Sequence, residues 1–306
     1  MKQVDLGGSG LNASAVALGV MRINGLDSDA AAQQVLETAA GNGINFFDNA
    51  DVYGDGECEK RFGRALKQSN LQRDHIFVQT KVGIRDHAYD FSKQYLLDAV
   101  DHSLQRLGLD YVDSLLLHRP DALIEPEQVA DAFNTLQNAG KVRQFGVSNM
   151  NPNQVELLQH SVQQKLIVNQ LQFGIKHTGP IDAGIHVNMS DPRSVDHDGG
   201  IIEYSRLHNM TIQAWSPFQY GFFEGVFIDN PKFKQLNDEL QKLADKNKVT
   251  KNCIAVAWIL RHPANMQVIL GSMNQGRIAQ MAAGANVQLT HQEWYDVYLA
   301  AGNNLP

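Results

Sequence analysis

Cysteine is scarce: Cys58 and Cys253 are the only two in 306 residues, and they stand far apart. That pair excludes a disulfide-stapled scaffold and a cysteine-based metal site, and it suits a reducing compartment. Long apolar runs are missing as well. The longest, Cys253 to Leu260, falls far short of the ~20 residues a membrane-spanning helix needs. The opening residues Met1-Lys2-Gln3-Val4-Asp5 lack the apolar core of a secretory signal. Basic charge is in deficit, with 26 Lys and Arg against 33 Asp and Glu and a net charge of −7. Such a balance leaves no electrostatic footprint for nucleic acid or for an anionic membrane, so an anionic ligand must be held by local groups. No low-complexity tract or linker interrupts the chain. The expectation is one soluble, cytoplasmic domain spanning residues 1–306.

What the chain does contain is alternation. Short apolar stretches bounded by Gly, Asp and Asn occur at Val16–Leu18, Ile44–Phe47, Ile76–Thr80, Ser114–Leu117, Gln144–Val147, Leu166–Asn169, Thr211–Ala214 and Gln267–Leu270. They read as strands covered on both faces. Helical patterns follow near 28–41, 57–69, 92–107, 126–139, 152–160, 200–208, 233–247 and 274–283, several with Ser or Asp caps or a first-turn Pro. Eight such units predict an α/β fold, a closed (β/α)8 TIM barrel, rather than an open sheet. Residues 4–13, with Gly7-Gly8-Ser9-Gly10, predict an N-terminal β-hairpin that plugs the barrel floor. No strand precedes these glycines, so a phosphate loop is disfavoured. Long connections after strands 6 and 7, at 171–199 and 218–231, read as substrate or lid loops. Helical stretches at 250–261 and 290–301 are surplus to the alternation and are expected to pack outside the barrel.

Chemistry concentrates at the strand ends. Gly43-Ile44-Asn45-Phe46-Phe47 turns polar at Asp48, and Tyr53 follows one loop later. Val78-Gln79-Thr80 runs into Lys81, and Leu115-Leu116-Leu117 into His118. Each alone is compatible with a turn, a packed aromatic or a structural His. A lysine ending a buried strand is more telling, because burial disfavours its charge unless a carboxylate sits nearby. Strands 2, 3 and 4 of a barrel are neighbours, so the four groups share one rim. There an ammonium favours ionisation of a phenol, a carboxylate orients the ammonium, and a neutral His hydrogen-bonds a carbonyl oxygen.

These residues, with Gly146-Val147-Ser148-Asn149, Ala214-Trp215-Ser216-Pro217 and Leu115–Asp121, strongly resemble the aldo-keto reductase family from Leu18-Gly19 through Arg277. Asn49 stands where a Thr is usual. The resemblance implies reduction of a small aldehyde or ketone by hydride from NADPH, with Tyr53 as general acid supported by Asp48, Lys81 and His118. It implies that Ser148, Asn149 and Gln170 bind the nicotinamide carboxamide and that Trp215 stacks on the ring. Ser216 belongs to the same cofactor wall. Ser272 and Arg277 match the family's contacts to the adenosine 2′-phosphate. Gly271 replaces the lysine of many members, which leaves NADH open as an alternative cofactor.

The family also resembles the β subunits of voltage-gated potassium channels. A cofactor-binding, redox-sensing partner protein is therefore the alternative reading. Eleven histidines raise a metal-dependent barrel hydrolase as a further alternative. Strand 1 ends Leu18-Gly19-Val20-Met21 without a His-x-His pair, so no metal ligands are expected.

Overall fold

A computed structural model describes residues 1–306. Its centre is a closed barrel of eight parallel strands: β1 (Val16–Gly19), β2 (Phe46–Asp48), β3 (Phe77–Val82), β4 (Val112–Leu117), β5 (Val142–Ser148), β6 (Leu166–Gln172), β7 (Thr211–Trp215) and β8 (Met266–Leu270). Neighbours in sequence are neighbours in space, and β8 closes on β1 through Leu270 opposite Leu18. The ring outside is built from α1 (Asp29–Gly41), α2 (Glu57–Gln68), α3 (Lys93–Leu107), α4 (Pro126–Asn138), α5 (Pro152–Ser161), α6 (Gly179–Ile185), α7 (Ile201–Leu207), α8 (Lys234–Asn247), α9 (Lys251–Arg261), α10 (Gln275–Ala282) and α11 (His291–Ala300). All eight predicted strands are present. None of the helices is long and apolar enough to cross a membrane.

The predicted hairpin forms between Gln3–Asp5 and Asn12–Ser14. Its Val4, Leu6, Leu11 and Ala13 belong to one apolar cluster with Ala17, Phe46, Leu116 and Ile167 inside the barrel. The glycines here serve packing. Gly7 has φ +61° and a Cβ on it would lie 2.6 Å from the Cα of Ile167, while its N–H donates to Thr211 Oγ1 at 2.9 Å.

Two connections differ from the simple alternation. The surplus stretch at 250–261 is α9, and it packs directly on β8. Cys253 to Ile259 are all buried, because a helix apolar almost all round must be covered on both sides. The more polar α8 lies against α9 and α11 instead. The long connection after β6 contains α6 and is tied to the chain's last residues. His186 Nε2 lies 3.1 Å from Asn304 O, Lys176 Nζ donates to Ala301 O at 2.5 Å, and Tyr298 Oη donates to Asp182 Oδ1 at 2.8 Å.

Helix α11 is locked to α9 by a reciprocal tryptophan pair. Trp258 and Trp294 stack at 4.7 Å with 7° between planes. Each indole N–H donates to the other's carbonyl, at 2.9 and 3.1 Å. Trp294→Ala should therefore destabilise the protein by about 3–5 kcal/mol, the range for truncating a buried aromatic, read as a lower urea midpoint. A loss below about 1 kcal/mol would mean that α11 contributes little to the barrel.

Candidate active site

The C-terminal end of the barrel opens into a cavity of about 750 Å³. Asp48, Tyr53, His118, Ser148, Asn149 and Gln170 line it, and so do Trp215, Ser216, Gly271, Ser272 and Arg277. Of the residues singled out from sequence only Lys81 does not reach the surface. It is fully buried behind Tyr53.

The geometry around Lys81 follows from its position. On β3 the side chains of Phe77, Gln79 and Lys81 alternate to one face, as the strand period requires, and that face points into the barrel. An ammonium has three N–H donors, and three acceptors surround it. These are Asp48 Oδ2 at 2.8 Å, the Asn49 carbonyl at 2.8 Å and Tyr53 Oη at 3.1 Å. Burial opposes the charge of Lys81, but the Asp48 carboxylate and Tyr53 outweigh it and hold its pKa above the ordinary value. Tyr53 Oη accepts from Lys81, so its own O–H is left to donate into the cavity. Burial raises the Tyr53 pKa, and the Lys81 charge offsets this only in part. The phenol is thus the protonated, donating form. The sequence-based expectation of a more acidic phenol holds for the direction of the Lys81 effect but not for the sum. His118 meets the Tyr53 ring edge-on at 5.9 Å between centroids. Burial, then Lys81 and Arg119, push its pKa well below 6.5, so it is a neutral imidazole.

Sequence reasoning missed the layer beneath. Gln79 Nε2 donates to Asp48 Oδ1 at 2.7 Å and to Gln213 Oε1 at 2.8 Å. Gln170 Nε2 donates to the same two atoms at 3.2 and 2.9 Å. Gln213 Nε2 passes the chain on to Gln267 Oε1, and Gln267 Nε2 to the Ser14 carbonyl. All are buried. A glutamine in each of four apolar strands, β3, β6, β7 and β8, was the available signal. The Asp48 carboxylate is thereby fixed through both oxygens.

On the neighbouring wall a second chain of bonds runs from Trp215 Nε1 to Asn149 Oδ1 (3.2 Å), from Asn149 Nδ2 to Ser148 Oγ (2.7 Å) and from Ser148 Oγ to the Gln170 carbonyl (3.0 Å). Asn149 and Ser216 have positive φ, +58° and +49°, a strained backbone for Ser that points to a constrained rim. At the β8 end, Asn274 caps α10 by accepting from the Arg277 N–H at 2.9 Å. Arg22, another missed residue, donates to the Gly271 carbonyl at 3.2 Å. The guanidinium of Arg277 forms no bond within the chain. No cluster of three or more His, Cys, Asp or Glu side chains is arranged to hold a metal.

The loop between β2 and α2 carries the half-buried Asp51, whose charge is coupled to the buried Glu59 of α2. Glu59 accepts from Thr80 Oγ1 (2.6 Å) and Arg106 Nε (2.7 Å). Asp51 Oδ1 is buried without a partner. Burial, then the charge of Glu59, push the Asp51 pKa from 3.8 up to about 7. The folded state therefore binds a proton that the unfolded chain releases between pH 3.8 and about 7. The stabilisation from protonated Asp51 is complete below this window and is lost as pH rises through it. Wild type should lose stability relative to Asp51→Asn as pH climbs across that interval, measured as the difference in urea midpoints. A constant difference would mean that Asp51 titrates like an ordinary carboxylate.

Comparison with known proteins places the chain in a family. A family model described as the aldo/keto reductase family matches residues 15–298. The chain is 33% identical to the uncharacterised oxidoreductase YcsN of Bacillus subtilis, covering 97% of each chain. It is likewise 33% identical to a 6-dehydroglucose reductase of Novosphingobium aromaticivorans, over 98% of this chain and 96% of that one. An aldo-keto reductase from Klebsiella pneumoniae solved in complex with NADPH shares the fold, with a TM-score of 0.77 at 22% identity over 97% of this chain and 93% of the other. On the model match and these full-length relatives, the chain belongs to the aldo/keto reductase family, a family of oxidoreductases.

Proposed function

We propose that this protein reduces an aldehyde or ketone to the alcohol with NADPH as hydride donor. The observation that carries the reading is the hydrogen-bonded series Asp48–Lys81–Tyr53, which ends in a phenolic O–H facing the cavity beside a neutral His118. The residues present fit the cofactor. Gln170 donates both its N–H bonds inward and has its Oε1 left to accept from a carboxamide, with Ser148 and Asn149 alongside. Trp215 offers a ring face, Ser216 borders it, and Gly271, Ser272 and Arg277 lie at the β8 end where such barrels hold phosphate. Bound NADPH would supply the hydride.

The chain's own residues handle the proton. His118 donates a hydrogen bond that orients the carbonyl oxygen. Tyr53 gives that oxygen its proton as negative charge develops there, and Lys81 at 3.1 Å stabilises the phenolate left behind. Asp48, held by two glutamines, keeps the ammonium in line. A redox-sensing partner role would need the cofactor contacts but no proton donor, so this series favours turnover.

Tyr53→Phe keeps the ring and removes the donor. Single-turnover reduction at saturating NADPH should slow by at least about 10²-fold, since a positioned acid contributes about 10²–10⁴, while NADPH affinity stays near that of wild type. A slowing of less than about tenfold would move the acid role to His118. Arg277→Ala should weaken NADPH binding by about 1.5–3 kcal/mol, the range for a hydrogen bond to a charged group, and leave NADH binding nearly unchanged. Equal losses for both cofactors would show that Arg277 does not read the 2′-phosphate.

A further inference from the structure

The main cavity is cationic at two opposite sides. Arg22 and Arg277 stand at the β1–β8 side, and Arg119 stands directly after His118 at the end of β4. In an eight-stranded ring, β4 lies across from β8. The proposed cofactor phosphate accounts for the first pole and not for the second. Arg119 is half-buried, forms no ion pair or hydrogen bond within the chain, and sits 6.0 Å from the Trp215 ring centroid. A second cavity, of about 370 Å³, meets the first at Arg119, Asn149 and Trp215 and continues past Gln154, Gln172 and His177. Asp198, the carboxylate lining this side cavity, makes no ion pair with Arg119.

We propose that Arg119 is the residue that selects substrate, binding a carboxylate carried by the carbonyl compound on the side away from its reacting group. The proposal rests on the reductase reading for the position of the carbonyl, which His118 and Tyr53 set one residue away. A guanidinium held over an aromatic face keeps its fork of donors oriented, and that fork matches the two oxygens of a carboxylate. In a chain of net charge −7, a half-buried arginine without a protein partner is a local anion site of the kind the overall charge does not provide. The tail of the substrate would lie in the side cavity, where Gln154, Gln172 and His177 supply further hydrogen-bonding groups.

The test compares planar isosteres that differ in charge. 4-Carboxybenzyl alcohol and 4-nitrobenzyl alcohol, which have no hydride acceptor when the cofactor is reduced, are titrated calorimetrically into the NADPH-loaded protein, and the corresponding aldehydes are assayed for reduction. Wild type should bind and turn over the carboxylate member preferentially. In Arg119→Met the carboxylate-to-nitro ratio should fall about 10–100-fold in both measurements, as expected for loss of a hydrogen bond to a charged group. Arg119→Lys should restore only part of it, because a point charge lacks the fork. Absence of a carboxylate preference in wild type, or a preference that survives in Arg119→Met, overturns the proposal. A charge-dependent binding preference lost in Arg119→Met, with neither aldehyde reduced, supports the anion site and overturns the reductase reading instead.

Discussion

Everything at the C-terminal end of this barrel depends on one buried ion pair, Lys81 with Asp48. An ammonium with no exposed surface is tolerated only if its desolvation is offset by acceptors in the right places. The fold provides three of them, from β2, from the backbone after it and from the loop that carries Tyr53. The arrangement is mutual. Lys81 holds the phenol oxygen, the Asn49 carbonyl and the carboxylate together, so the loop after β2 is shaped by the same charge that it satisfies.

The pair has support from below. A line of glutamine side chains crosses the barrel interior from Asp48 to the carbonyl of Ser14 at the end of the hairpin. Buried polar networks are worth having only when their members are satisfied, and here each amide nitrogen finds an oxygen. The barrel is therefore layered. An apolar floor is sealed by the hairpin, a glutamine layer lies above it, and a rim carrying the Lys81–Asp48 pair faces the cavity. Such layering agrees with the general division of TIM barrels into a stabilising bottom and a reactive top.

The loops above the rim are anchored unevenly. The connection after β6 is tied to the C-terminal residues through His186, Lys176 and Asp182, so it forms a fixed wall. The connection after β7 is a short ribbon, Gln219–Tyr220 against Gly225–Val226, whose tip carries the exposed Phe222 and Phe223. Phe223 stacks on Trp215 at 6.3 Å. A wall of the side cavity is thus set by packing at a distance, whereas the ribbon bordering the main cavity is held by aromatic contacts, Phe223 on Trp215 and Tyr220 on Phe233.

Strand and helix alternation, the hairpin, and the residues Asp48, Tyr53, Lys81 and His118 were legible in the sequence because each is a local signal: a period, a cap, or a polar residue ending an apolar run. The identity of the barrel followed from counting such units. What only the tertiary structure decided was how these groups meet. It set α9 against the barrel and α8 outside it, because covering an all-round apolar helix is a matter of what lies on its far side. It joined Gln79, Gln170, Gln213 and Gln267 into one network across four strands. It also made burial outweigh the Lys81 charge at Tyr53, and left Arg119 without a partner. Periodicity is a property of neighbours along the chain, whereas desolvation and pairing are properties of neighbours in space, and those exist only once the barrel has closed.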